Sequence, residues 1–202
     1  MAEPTTSTLA WRSRPGPDEA VDRVLDAAGR CYARRGIRVT SVSEIAKEAG
    51  CSRPTIYRHF DSGASIRRAF VRREAGRLGA SLRSRIDTSA PIADWVTDAV
   101  MAAVHDVRTD PALSAWFRRD DVGSTLSIAL EPDLLLEVAE ALVEPSVLAA
   151  LGGAEDELTR RGADLAQWIV RVILSFLASP AQDEATERRL VETFVAPALL
   201  AG

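Results

Sequence analysis

The stretch from Val39 to Phe60, reading VTSVSEIAKEAGCSRPTIYRHF, leaves this chain few alternatives. Ser41 is a good helix N-cap, and Glu44 three residues on completes a capping box, in which each side chain satisfies an amide that a helix start leaves without a partner. Val42, Ile45, Ala46 and Ala49 then recur at three- and four-residue spacing and form one apolar face. Gly50 stops that helix, because a left-handed turn is open to glycine and costs other residues about 1 kcal/mol. Ser52 caps a second helix with Pro54 in its first turn, where a missing N–H does no harm. Ile56 and Phe60 point inward, while Arg53, Thr55, Tyr57, Arg58 and His59 are left outside. Two helices, a glycine turn and a basic outer face predict a helix-turn-helix whose second helix, Arg53 to His59, lies in a DNA major groove. A plain pair of solvated helices would not need all of these features at this spacing.

The outward residues suit a nucleic acid. Arg53 and Arg58 can grip guanine or a phosphate, and Thr55 can touch a thymine methyl. Tyr57 and His59 are better placed for phosphates, and Thr40, Ser41, Lys47 and Ser52 add phosphate contacts. Upstream, Asp18 to Arg35 carries Val21, Val24, Leu25, Ala28, Cys31 and Tyr32 on one helical face, and Gly36 ends it. That helix completes a three-helix domain.

Leu25-Asp26-Ala27-Ala28, Gly36-Ile37-Arg38, Thr40-Ser41-Val42, Ile45-Ala46, Ala49-Gly50, Ser52 and Tyr57-Arg58-His59-Phe60 closely resemble the N-terminal domain of the TetR family of bacterial repressors. The resemblance covers residues 18 to about 70. It implies a homodimer on a palindromic double-stranded DNA operator, whose C-terminal helical domain dimerises through its last two helices and holds a small effector in its earlier ones. One departure stands out. Family members follow the Phe with a short link and a phosphate-binding lysine, whereas this chain reads Asp61-Ser62-Gly63-Ala64. Backbone amides at the next helix start, or Arg67 or Arg68, are the candidates to replace that contact.

With 202 residues the chain is long enough for one or two cores. Its net charge of −4 is unevenly spread. Residues 1–85 hold 17 Lys and Arg against 9 Asp and Glu, and the remainder holds 8 against 20. A basic first part on an acidic second part fits a DNA module joined to something else. No apolar run is long enough for a membrane span, and the N-terminus lacks a signal-peptide layout, so a cytoplasmic location is expected. Cys31 and Cys51 fall at apolar positions and read as buried thiols, with a redox switch as the other reading.

The domain plan is a flexible arm over residues 1–17, a helix-turn-helix domain over 18–62 and a C-terminal helical domain over 63–202, with 63–85 as a linking helix. In the arm, Trp11, Arg12 and Arg14 either reach a minor groove or have no role. Further helices are expected from Pro91 to His105, from Ala112 to Arg119, and from Ser124 to Leu151 with breaks at Pro132 and Pro145. After Gly152-Gly153, two last helices run over Asp156–Ser179 and Asp183–Leu200. No segment alternates with a period of two, so the chain reads as all-α.

Effector-pocket candidates are Trp95, Met101, His105, Trp116, Phe117, Leu126, Leu130 and Leu134, a set that suits an apolar molecule. Each taken alone is more often a plain core residue. Leu165, Trp168, Ile169, Val172 and Phe176, with Phe194 in the last helix, cover more than one stripe and predict burial against a second subunit or within the monomer. Arg171 sits among them and needs a partner or an exit to solvent. An acid near Glu155-Asp156-Glu157 across a dimer, a ligand carboxylate and a plain surface position are the readings open to it. No catalytic residue, metal site or cofactor is expected: His59 and His105 stand apart, and Gly152-Gly153 lacks the Lys-Ser/Thr of a phosphate loop. The reading is a repressor released from its operator by a small apolar effector. The rival is a degraded helix-turn-helix whose second domain has an enzymatic or other binding role.

Overall fold

The computed structural model describes residues 16–87, 89–142 and 155–197, with side chains omitted at 17, 92 and 155–162. Trp11, Arg12, Arg14, Pro145, Gly152, Gly153 and the side chains of Glu155, Asp156 and Glu157 lie outside the described residues. All regular structure within them is helical. The helices are α1 (Pro17–Arg35), α2 (Val42–Ala49), α3 (Arg53–Tyr57), α4 (Gly63–Arg85), α5 (Ile92–Thr109), α6 (Pro111–Ser114), α7 (Val122–Ala129), α8 (Pro132–Leu142), α9 (Glu155–Ala178) and α10 (Glu184–Leu190). A 3₁₀ turn at Ala115–Phe117 follows α6, and a π turn at Val191–Val195 continues α10.

The chain divides into two compact units. The first holds residues up to Phe70 together with Pro111–Thr125. It therefore includes residues 63–70 and 111–125, which the division read from sequence places with the C-terminal domain. Val24, Leu25, Ala28, Ile45, Ala46, Ile56 and Phe60 fill its core, as the helical spacing requires. The later segment adds Trp116, whose ring stacks on Phe70 at 5.8 Å and meets Tyr32 edge-on at 5.5 Å. Tyr32 and Phe70 are also edge-on, at 5.3 Å. Each such pair adds about 1 kcal/mol beyond the area it buries. Burial pushes the Tyr32 phenol well above its ordinary pKa.

The second unit holds Val71–Asp110 and Leu126–Gly202. Val96, Val100 and Val104 of α5 pack in a core with Leu134 and Val138 of α8 and Ile169, Ile173 and Leu177 of α9. Arg72 of α4 makes a two-pronged ion pair with Glu137 of α8 at 2.6 and 3.0 Å. In the last turn of α5, Arg108 donates to both oxygens of Glu187 at 2.7 Å and to the Phe176 carbonyl at 3.0 Å.

Three helix expectations are corrected. Ala112–Arg119 is one turn of α-helix followed by the 3₁₀ turn. The stretch expected from Ser124 starts at Val122 instead, while its break falls just before Pro132, as expected. The last helix changes to π pairing at Val191 instead of running on unchanged.

Candidate nucleic-acid interface

Local chemistry builds the helix-turn-helix as its residues dictate. The Ser41 hydroxyl accepts the Glu44 amide at 3.3 Å, and Glu44 takes the Ser41 amide at 2.9 Å, so the capping box is closed. The Ser41 amide and hydroxyl, both donating to the Glu44 carboxylate at 2.9 Å, hold it below the usual range, with Arg35 adding a cation 2.8 Å away. At the other end Gly50 is left-handed, with φ 71° and ψ 28°, and the Cys51 amide returns to the Ala46 carbonyl at 2.9 Å. Ser52 then accepts the Thr55 amide at 3.3 Å and starts α3. Glu48 of α2 pairs with both Arg30 and Arg34 of α1, which lowers its pKa and locks the two helices together.

Ile56 is fully buried and holds α3 to the core, while Arg53, Tyr57, Arg58 and His59 are exposed. Tyr57 is 44 % exposed, a large value for an aromatic residue. The Arg53 guanidinium lies 5.9 Å from the centre of its ring, close enough to stiffen both side chains. Two expectations need amendment. The reading helix ends at Tyr57, and Arg58 and His59 lie in the turn that closes it, because the His59 and Phe60 amides both return to the Ile56 carbonyl. Thr40 is buried and donates its hydroxyl to the Gly36 carbonyl at 2.6 Å, so that group is occupied inside the fold. Ser41, Lys47 and Ser52 are exposed, and Thr55 is half-buried with its hydroxyl 2.8 Å from that of Ser52. Cys31 is buried and Cys51 half-buried, and burial raises both thiol pKa values.

Within the second unit a cavity of about 60 Å³ lies among α4, α5, α8 and α9. Leu82, Trp95, Val96, Val100, Ile169 and Ile173 line it, with Ala99, Ala103 and Leu142 completing the wall. Of the pocket candidates only Trp95 is part of this wall. Trp116 and Phe117 belong to the first unit, His105 and Leu130 are exposed, Leu126 is half-buried, and Met101 and Leu134 are buried core residues. Arg171 is exposed and donates to the Gln167 carbonyl at 3.3 Å. The wall residues that sequence reasoning missed are small or aliphatic, and nothing local distinguishes them from core.

The dimer candidates also divide. Ile169 and Phe176 are buried within their own subunit. Leu165, Trp168 and Val172 are half-buried, and Phe194 is 67 % exposed.

Residues 24–69 match the family model described as bacterial regulatory proteins, tetR family. The chain is 36 % identical over 189 residues to the uncharacterized HTH-type transcriptional regulator Rv1255c of Mycobacterium tuberculosis, covering 93 % of this chain and 89 % of the relative. Its fold is similar to the crystal structure of the TetR family repressor AlkX from Dietzia, which is implicated in biodegradation of n-alkanes. That match has a TM-score of 0.68 and 21 % identity over 92 % of this chain and 97 % of the other. The fatty acid degradation regulator FadR from Bacillus halodurans matches with a TM-score of 0.55 and 22 % identity, over 94 % and 97 %. Among the described residues no helix is long and apolar enough to cross a membrane.

Proposed function

The chain belongs to the TetR family of bacterial regulatory proteins and is a DNA-binding transcriptional regulator, and on that premise we propose that it is a homodimeric repressor released from a palindromic operator by a small apolar effector. One observation carries the DNA half of this reading. The capped helix α3 is pinned by buried Ile56 and turns Arg53, Tyr57, Arg58 and His59 to solvent. Two such helices in a dimer would enter successive major grooves about 34–36 Å apart. The protein would act in the cytoplasm, where a bacterial operator lies.

The effector half rests on the cavity. Every wall residue is apolar, and burying a charge there would go uncompensated. The effector is therefore neutral and hydrocarbon-like, and similarity to a repressor implicated in n-alkane biodegradation makes a short n-alkane the first probe. An effector that binds only the released state lowers operator affinity by linkage.

Selection of binding sites from random-sequence DNA tests the first half, followed by mobility shifts at matched salt. Tyr57→Ala should weaken binding to all sequences, and Arg53→Ala should in addition relax base preference by about tenfold at one position. Unchanged affinity for both variants would remove α3 from the interface. For the second half, Ala103→Leu should fill the cavity, leave operator binding intact and abolish release by the alkane. Release that survives this substitution would place the effector elsewhere.

A further inference from the structure

Two side chains from far along the chain hold the backbone just ahead of the helix-turn-helix. Arg118 donates to the carbonyl of Ala33 at 2.7 Å, in the last turn of α1. Asp121, only 6 % exposed, accepts the backbone amide of Arg38 at 3.1 Å. Gly36 lies between these two points with φ 88°, and a Cβ there would stand 2.6 Å from a carboxylate oxygen of Asp121. Glycine is thus required twice, for its dihedral and for the approach of the carboxylate. The Thr40 hydroxyl closes the turn onto the Gly36 carbonyl, and the next residue, Ser41, is the cap of α2.

The caps at Ser41, Gly50 and Ser52 set the angle between α2 and α3. They do not set how the pair leaves α1. That depends on the ion pairs of Glu48 with Arg30 and Arg34, which join α2 to α1, and on the turn from Gly36 to Thr40, which Asp121 grips in the middle while Arg118 grips its entry. The gripping segment is itself braced. Trp116 stacks on Phe70, Thr125 donates its hydroxyl to the Trp116 carbonyl, and the Thr125 amide returns to the Asp121 carbonyl at 2.9 Å. Its main chain continues from α5 at Asp110 and into the rest of α7 after Thr125.

We propose that Arg118 and Asp121 are positioning residues for operator recognition: by fixing the Gly36–Thr40 turn they set the attitude of the reading helix. Neither residue lies in the helix-turn-helix, and neither has to touch DNA. The proposal rests on the reading of α3 given above. A purely structural brace would stabilise the fold without favouring one DNA over another. A positioning role acts on the operator, which demands a fixed attitude of the reading helix, and spares unrelated duplex, which is held by backbone electrostatics.

The test uses the full chain, the operator selected by the wild type and an unrelated duplex at one salt concentration. Asp121→Ala and Arg118→Ala should lose about tenfold or more in operator affinity, since an unsatisfied buried amide or a freed carbonyl loosens the turn. Affinity for unrelated duplex should change less than about twofold, as expected when the phosphate contacts are kept. Asp121→Asn changes the charge as Asp121→Ala does but keeps an acceptor for the Arg38 amide, so it should restore most of the operator affinity. Hydrogen exchange across residues 36–40 should rise in Asp121→Ala and not in Asp121→Asn. Equal losses on both DNAs, a joint fall of the Asn and Ala variants, or wild-type operator affinity in Asp121→Ala and Arg118→Ala would each overturn the proposal. Should Asp121→Ala not fold, Arg118→Ala, altered at an exposed residue, decides alone. A wild type that selects no operator refutes the reading of α3 itself, an outcome separate from all of these.

Discussion

Glu187 is a carboxylate with 1 % exposure, and a buried charge survives only with enough partners. It has three: both prongs of Arg108 and the Ala181 amide at 3.0 Å. The Arg108 bonds, ahead of the amide, pull its pKa below the ordinary carboxylate value against the opposing effect of burial. Arg108→Met should therefore cost about 3–5 kcal/mol, because it strands the charge. Glu187→Gln removes the charge and provides a pH test. A group whose folded pKa is depressed contributes stability that is fully present above its unfolded pKa, about 4.3 for Glu, and is lost as pH falls through the folded value. The stability gap between wild type and Glu187→Gln in urea should be constant from pH 7 to about 5.5 and narrow progressively once the pH falls below about 4.3. A gap that does not narrow at all as the pH falls below about 4.3 would mean that the carboxylate contributes through shape alone.

At the scale of the element, two glycines in α4 make opposite predictions. A Cβ at Gly79 would overlap the carbonyl oxygen of Ala141 in α8, while one at Gly76 would meet nothing within 4 Å. Arg83 donates to the same carbonyl at 3.2 Å, so the two helices are fixed at this crossing. Gly79→Ala should force them apart and cost about 1–3 kcal/mol. Gly76→Ala should stabilise the helix by about 0.5–1 kcal/mol through backbone entropy. Thermal unfolding of the two variants decides this, and a stable Gly79→Ala would refute the close crossing. Helices were legible from sequence where a side chain makes their end. The capping box fixes α2, and Ser62 and Ser65 exchange hydroxyl and amide bonds at the start of α4, which runs over the expected residues. They were misread where only backbone pairing decides, as at the end of α3 and at the π turn of Val191–Val195, because apolar spacing does not separate one hydrogen-bond register from the next. The candidate site divides in the same way. Arg53 and Tyr57 declare themselves by type and position, whereas Arg118 and Asp121 act 83 or more residues from their partners, across a distance that no local pattern spans. Trp116 and Phe117, read from sequence as pocket candidates, fall in the unit that holds the helix-turn-helix for the same reason: apolar character does not say which core a residue joins.

The whole molecule, as proposed, is a dimer, and its surface chemistry says where the second subunit would sit. Leu190 and Phe194 are four residues apart, 36 % and 67 % exposed, on α10 and its π continuation. On α9, Leu165, Trp168 and Val172 recur at three- and four-residue spacing and are all half-buried. Apolar rows of this kind on two helices are costly in water, and a twofold axis lets one surface cover its own copy. Phe194→Glu would place a charge in that interface twice, once from each subunit, and should shift sedimentation from dimer to monomer at micromolar concentration. Operator affinity should fall with it by about 10²-fold or more, because two half-sites joined by a dimer gain an effective concentration that separate subunits lack. Phe176→Ala is the control. That ring is buried within its subunit, so the variant should lose stability, by about 3–5 kcal/mol, while the folded fraction still dimerises. A Phe194→Glu protein that remains dimeric and binds the operator as the wild type does would move the interface away from the last two helices. The exposed aromatic would then need another partner.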